Sequence, residues 1–303
     1  MPSQLMPSYL LRAIVIMFIA ITAFDVMGVL VRMLGGSYSI LQISVLRNIF
    51  GILPALLLLM LGPGLQSITT LRRKKHWVII TIRSAAVLMA QISFYTALTK
   101  IEFATAATLG FTSPFFISLL SIPILAHHVG WIRFAAIIVG FFGVLTILKP
   151  FNDEFVWWMV LPIIAAFGYG LASVLVRLFE DEIPSAALQI SQQFITFLMG
   201  LVLLLIFGGV TPVATLEDVG LFVLLGIFGG IGVLGLVIGY RLVEPSSLAP
   251  FEYFGIPISF ALGWVFFNEA PFDTLFPGVL FIVGAGLLIV LRERYQQKSP
   301  DQP

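Results

Sequence analysis

Apolar positions in this chain fall in long unbroken runs, separated by short polar breaks. A helix of about 20 residues, rising roughly 1.5 Å per residue, covers a hydrocarbon layer of roughly 30 Å. The runs predict ten such helices, at 10–31, 39–62, 77–98, 104–126, 131–149, 157–179, 186–208, 217–241, 246–267 and 274–292. Barrel strands would instead read as short segments of alternating polarity. The expected fold class is therefore an all-α membrane protein. The stretch Ser246–Glu269 is the most telling run, because it carries Glu252 in its first half and Pro257 in its middle. At helical spacing Glu252, Gly255, Ser259 and Gly263 share a face. Lipid does not tolerate a carboxylate there, so that face should look into a protein interior or a wet cavity.

Composition agrees with this pattern. Hydrophobic residues make up 59% and charged residues 10% of the 303, where a soluble domain carries about 25% charged. Mean hydropathy is +1.08. The net charge of +1 gives no sign of a nucleic-acid partner. Cysteine is absent, which excludes disulfides and thiolate chemistry. The first apolar run is too long for a cleavable signal and has no A-x-A site after it.

Lys and Arg set the expected orientation. With the N-terminus in the cytoplasm, the inner ends hold Arg12, the Arg72–Lys75 cluster, Arg133, Arg177, Arg241, Arg292, Arg294 and Lys298. The outer ends hold only Arg32, Lys100 and Lys149. Both termini are then cytoplasmic. The Arg72–Lys75 cluster reads as this topology signal rather than as a headgroup site.

The chain also repeats itself. Val29-Leu30-Val31-Arg32 recurs as Val174-Leu175-Val176-Arg177, and Leu41-Gln42-Ile43-Ser44 as Leu188-Gln189-Ile190-Ser191. Tyr95 answers Tyr240, Pro114 answers Pro257 and Gly140 answers Gly284, all in order and at a nearly constant offset. Five helices per copy is an odd number, so the second copy enters from the opposite face. Two inverted five-helix repeats are expected, 1–149 and 150–303, joined through 150–156, an architecture common in secondary transporters.

With these residues the chain resembles the EamA-type, ten-helix members of the drug/metabolite transporter superfamily over about residues 10–295. The resemblance is strongest in Ser113–Pro150 and Leu248–Arg294. The family usually carries a glutamate just after the fourth helix. His127 occupies that place here, while Glu269 keeps its counterpart in the second copy. The resemblance implies a plasma-membrane transporter of small organic metabolites, in a bacterium an inner-membrane protein. It also implies a central cavity lined by helices 1, 3, 4, 6, 8 and 9.

Several residues in the runs bear on chemistry. Asp25 lies near mid-depth of the first run, where a charge costs about 2.5–3.5 kcal/mol on insertion scales. It is either functional or paired with Arg47 or Arg83. Either arginine offers a planar fork to a substrate carboxylate or phosphate; the alternative is snorkelling to a headgroup. Ser84, Gln91 and Tyr95 share a face of the third helix. Thr105, Thr108 and Thr112 form a stripe on the fourth, for which helix packing is the default reading. Gln189, Gln192, Gln193 and Thr196 make a broader polar face on the seventh, and Tyr169 and Ser173 share one on the sixth. Phe111, Tyr169, Tyr253 and Trp264 are candidates to stack on a flat ligand, against ordinary packing for each singly. Glu252 either titrates, binds a cation or pairs with an arginine. Asp25 and Glu252 are the proton-coupling candidates, since a carboxyl away from water releases its proton less readily. The candidate substrate site is thus Asp25, Arg83, Gln91, Tyr95, Thr112, Tyr169, Ser173, Gln193, Glu252 and Tyr253.

Other chemistry is disfavoured. The glycines of the eighth helix, among them the pairs Gly226/Gly230 and Gly235/Gly239, suit close helix packing better than a phosphate loop. Pro114, Pro123, Pro162 and Pro257 are candidate flexible points. His76, His127 and His128 lack ligand partners at metal spacing. The chain has no H-E-x-x-H, paired-Asp or G-x-x-x-x-G-K-[ST] motif, so neither hydrolysis nor direct ATP drive is expected. The expectation is a non-enzymatic secondary transporter, without cofactor, of a small polar or zwitterionic metabolite such as an amino acid, a vitamin or a nucleoside-like compound. Proton coupling, exchange with a counter-substrate and facilitated diffusion stay open, as does monomer or homodimer. A non-transporting scaffold or intramembrane enzyme is the alternative.

Overall fold

The computed structural model describes residues 7–62, 71, 73–125, 131–149, 155–179, 183–242, 252–285 and 287–288. Among them every regular element is helical. The helices are α1 (Pro7–Leu34), α2 (Ile40–Phe50), α3 (Ile52–Leu61), α4 (Lys74–Lys100), α5 (Phe103–Gly110), α6 (Ser113–Leu125), α7 (Trp131–Leu148), α8 (Leu161–Leu175), α9 (Ser185–Phe207), α10 (Leu216–Leu242), α11 (Gly255–Phe267) and α12 (Phe272–Leu275). Helical backbone follows over 278–285. Seven spans are long and apolar enough to cross a membrane: Leu11–Leu34, Ile40–Leu61, Lys74–Lys100, Phe103–Leu125, Trp157–Leu178, Ser185–Phe207 and Leu216–Gly239. The expected fifth and ninth spans are represented by shorter apolar helices, Phe134–Leu148 and Gly255–Phe267. The chain is a multi-pass membrane protein. Its wide outer belt of exposed Leu57, Leu61, Leu205, Phe207 and Val265 suits contact with lipid tails.

Prolines explain where the helices break. The second expected helix is two pieces, α2 and α3, meeting at Gly51. Pro54 has no N–H for the carbonyl of Phe50. The fourth is likewise split at Phe111-Thr112, because Pro114 cannot donate to Gly110. The ninth differs most from expectation. Its regular helix begins at Gly255, so Pro257 sits in the first turn, where a missing N–H costs nothing. Glu252 therefore precedes α11 rather than riding on it, and residues 246–251 lie outside the described set. So do His127, His128, Arg72, Arg292, Arg294, Lys298 and most of the 150–156 link.

The helices pair across the chain. α1 packs on α10, α4 on α8, α2 on α9 and α11 on both α5 and α1. Glycine allows a close approach between α7 and 278–285. A Cβ on Gly143 would lie 2.7 Å from the carbonyl oxygen of Gly278, and one on Gly278 2.7 Å from that of Gly143.

One end of the bundle is tied by polar bonds between distant parts of the chain. Arg32, at the end of α1, forms an ion pair with both carboxylate oxygens of Glu269, beyond α11. Glu269 Oε2 also accepts from the Phe103 N–H at 2.8 Å, the first residue of α5. Arg32 donates to the Ile101 carbonyl at 3.2 Å and lies 4.5 Å over the Phe267 ring. Beside this cluster Tyr38 donates to Asp218 Oδ2 at 2.9 Å. Gln42 both donates to and accepts from the backbone of Thr211, at 2.7 and 2.8 Å.

Gly143→Leu should therefore destabilise the fold by about 1–3 kcal/mol through overpacking. Gly220→Ala, where an added Cβ meets nothing within 4 Å, should not. Thermal unfolding of the purified protein compares them, and equal stability of the two variants contradicts the packing described.

Candidate functional site

A cavity of ≈ 230 Å³ opens among α1, α2, α4, α5, α6, α8, α9, α10 and Glu252. It lies away from the Arg32–Glu269 end: α1 contributes only residues 21–27, and α10 only Val233, Leu236 and Val237 from its C-terminal half. Each wall has a local reason to reach it. The break after Gly110 turns Phe111 and Ser113 inward at the α5–α6 joint. Ala165, Ala166 and Ala172 on α8 are small enough to leave the space open.

The cavity gathers Asp25, Arg83, Gln91, Tyr169, Ser173 and Glu252 from the expected set. Tyr95, Thr112, Gln193 and Tyr253 lie outside its lining, each for a physical reason. Tyr95 is fully buried one turn beyond Gln91, with its hydroxyl on Met27 Sδ at 3.8 Å. Thr112 turns its hydroxyl onto the Leu109 carbonyl at 2.7 Å, satisfying the helix break. Gln193 is buried, on the side of α9 that meets Gly51. Tyr253 packs against Phe111 at 6.5 Å between ring centroids. Three polar residues outside the expected set line the cavity, Arg47, Ser113 and Gln192, together with the rings of Phe24 and Phe94. The walls thus include the second and seventh expected helices beyond the six implied by the resemblance.

Charge is distributed unevenly in its bonding. Asp25 is 8% exposed, and its Oδ2 is enclosed with no partner. No ion pair joins Asp25 to Arg47 or Arg83; among the described residues Arg32–Glu269 is the salt bridge present. Arg83 spends Nε on the Ala172 carbonyl at 3.1 Å. Arg47 is held on both sides: Nη1 donates to Asn48 Oδ1 at 3.1 Å and Nη2 to the Gly229 carbonyl at 2.9 Å. A Cβ at 229 would sit 2.5 Å from Arg47 Nε and 2.8 Å from Met27 Sδ, so any larger residue would have to displace those side chains.

Behind Arg47 runs a buried amide lattice. Gln91 Oε1 accepts from Ser44 at 2.7 Å and from Asn48 at 2.8 Å, and Gln91 Nε2 donates to Asn48 Oδ1 at 3.3 Å. Asn48 Nδ2 also reaches the Ser44 carbonyl at 2.8 Å. This lattice pins α2 to α4. Ser84 joins α4 to α9 through the Gln192 carbonyl at 3.1 Å. Ser173 is back-bonded to Tyr169 at 2.9 Å, so it offers the cavity an acceptor more readily than a donor. Among the described residues no group of His, Asp and Glu is placed to hold a metal.

Comparison with known proteins gives this geometry its context. Residues 11–149 match the EamA-like transporter family. The chain is 31% identical over 201 residues to a riboflavin transporter of Rhizobium johnstonii, an alignment spanning 64% of each chain, a little under two thirds of that relative's length. It is 25% identical to an S-adenosylmethionine uptake transporter of Rickettsia prowazekii, over 72% of this chain and 73% of the relative. It is also 25% identical to a pseudopaline exporter of Pseudomonas aeruginosa, over 86% and 89%. A solved crystal structure superposes at a TM-score of 0.69 with 20% identity, covering 93% of this chain and 99% of its own. At that identity the likeness concerns the fold alone.

Asn48→Ala strips partners from Gln91 and Arg47 together and should cost about 1–3 kcal/mol for the polar groups left buried. A double-mutant cycle with Gln91→Ala checks this. The lattice predicts that the two losses do not add; strict additivity would mean that the two side chains act separately.

Proposed function

We propose that the chain is a secondary transporter of the drug/metabolite transporter superfamily; its first half matches the EamA-like family, and its named relatives support the reading. It moves a small polar organic metabolite, an amino acid, a vitamin or a nucleoside-like compound, across the bacterial inner membrane by alternating access. The observation that carries the reading is the cavity itself: charged side chains of both signs lining one pocket inside an apolar bundle. Such groups are expensive in a membrane and mark substrate or ion pathways. The named relatives, which are transporters and an exporter, point the same way.

The two halves, 1–149 and 150–303, act as inverted repeats in this reading. Helix pairings support it: exchanging the halves turns the α1–α10 pair into the α8–α4 pair, and maps the α2–α9 and α5–α11 pairs onto themselves. Both termini are cytoplasmic, which puts the Arg32–Glu269 cluster at the outer end. In this reading the cavity is closed at that end and opens toward the inner one. Outward opening then requires Arg32 and Glu269 to part, along with the Tyr38–Asp218 and Gln42–Thr211 bonds. In a proton-driven cycle Asp25 and Glu252 carry the coupling proton in this reading, and substrate exchange uses the same cavity without one.

Purified protein in proteoliposomes should give saturable flux of a labelled metabolite, and a null result across a broad metabolite panel counts against transport. Asp25→Asn or Glu252→Gln should flatten the pH dependence of that flux; if both variants keep the parent's profile, neither carboxyl carries the proton. Arg32→Gln should lower the maximal rate severalfold while leaving affinity on the inner side within about twofold, because it changes which state is populated rather than the site. Unchanged rates would remove the cluster from the cycle.

A further inference from the structure

Two arginines line the cavity, and their bonding separates them. Arg47 is 2% exposed with both terminal nitrogens committed, to Asn48 and to the Gly229 carbonyl. Its charge is fixed in the wall. Arg83 is held by Nε alone, on Ala172. Its two terminal nitrogens make no hydrogen bond among the described residues, and the residue, 6% exposed, lines the cavity. A guanidinium anchored at Nε with its fork free is the arrangement that receives a planar oxyanion through two parallel bonds. Asp25 is the complementary case. It lines the same cavity, it is nine-tenths buried, and its Oδ2 is enclosed with no partner. A carboxylate withdrawn from water and left unpaired is costly, and a cationic donor offsets that cost.

The geometry points to Asp25 and Arg83 as a pair that reads the two opposite charges of one substrate, Asp25 taking an ammonium group and Arg83 a carboxylate. The substrate class is a zwitterion with a flat apolar portion, which the rings of Phe24, Phe94, Phe111 and Tyr169 in the same lining receive. This rests on the transport reading above. Charge balance favours it over singly charged compounds. When ionised, Asp25 and Glu252 offset Arg47 and Arg83 in the lining, so a ligand of no net charge then leaves the cavity neutral. A dianionic phosphate does not. Arg47 is a positioning residue in this scheme: it joins α2 to α10 through Gly229 and holds the amide lattice against Gln91, and it does not touch the ligand's carboxylate.

The test is equilibrium binding to the full chain in lipid nanodiscs, which needs no flux. The probes are four indoles of one shape: tryptophan, with both charges; tryptamine, with the amine alone; indole-3-propionate, with the acid alone; and 3-methylindole, with neither. S-adenosylhomocysteine against 5′-methylthioadenosine repeats the comparison on a purine. On at least one scaffold the zwitterion should bind about tenfold or more tightly than its partly or wholly uncharged analogues, the size of a charge-assisted hydrogen bond. Asp25→Asn should abolish the preference for tryptophan over indole-3-propionate and keep that over tryptamine. Arg83→Gln should do the reverse. Asp25→Glu and Arg83→Lys should each retain part of the lost preference, which separates recognition from misfolding. Arg47→Lys should weaken every probe by a similar factor without changing their order. The assignment is overturned if the unaltered protein shows no zwitterion preference on either scaffold. It is equally overturned if Asp25→Asn and Arg83→Gln leave the order of the probes as it was. Preference as expected without flux in proteoliposomes sinks the transport reading and leaves the pair standing; flux without preference does the opposite.

Discussion

A charge inside a bundle that faces lipid on its outside has few places to go, and most of this structure follows from where its intramembrane charges went. Arg47 is absorbed into the wall by a carbonyl and an amide. Arg32 is absorbed by Glu269 at one end of the bundle. Arg83 and Asp25 are not absorbed, and the cavity exists around them. The cost of burying an uncompensated charge is several kcal/mol. A chain that keeps two such groups together maintains a polar space in the middle of an apolar one, and the alanines of α8 and the break between α5 and α6 leave room for it.

The surrounding polar bonds divide into two kinds. The Ser44–Asn48–Gln91 lattice and the Arg47–Gly229 bond lie deep and tie helices together. The bonds at the Arg32 end are more exposed, at 21% and 17% for the two side chains of the ion pair. They join α1 and α5 to the segment after α11, across 237 residues of chain. Partly hydrated ion pairs are worth little in net stability, so they can be exchanged for water at small cost. A rigid wall beside a weakly tied end is a combination suited to one end opening while the site keeps its shape.

Much of the site could be read from the sequence, because a polar residue in an apolar run is conspicuous. Asp25, Arg83, Gln91, Tyr169 and Ser173 stand out for that reason. What the pattern cannot carry is which face of a helix meets the cavity when both faces are buried. Tyr95 follows Gln91 by one turn yet packs on Met27, and Gln193 is displaced from the cavity by its neighbour Gln192, because an offset of one residue rotates a side chain by about 100°. Phe24 and Phe94 carried no signal, being two among 28 phenylalanines. Glu269 drew notice only through the family resemblance, and Arg32 read as an ordinary outer charge; their pairing is a long-range fact with no local trace. Pro257 was visible, but its effect was to start α11 at Gly255 rather than to bend a longer helix.

The chain contains no cysteine, so a single introduced thiol reports on one position alone. Ser173→Cys places that thiol in the cavity wall, and Leu205→Cys places one on the lipid-facing surface. Labelling of each with a membrane-impermeant thiol reagent, applied separately from the two sides of sealed vesicles, tests the central claim most directly. The account predicts that Cys at 173 reacts from the cytoplasmic side, that adding Glu269→Gln also makes it reactive from the outside, and that Cys at 205 reacts from neither. Labelling at 173 from neither side in both backgrounds, or equal labelling of 173 and 205, would contradict a water-filled centre closed at its outer end by Arg32 and Glu269.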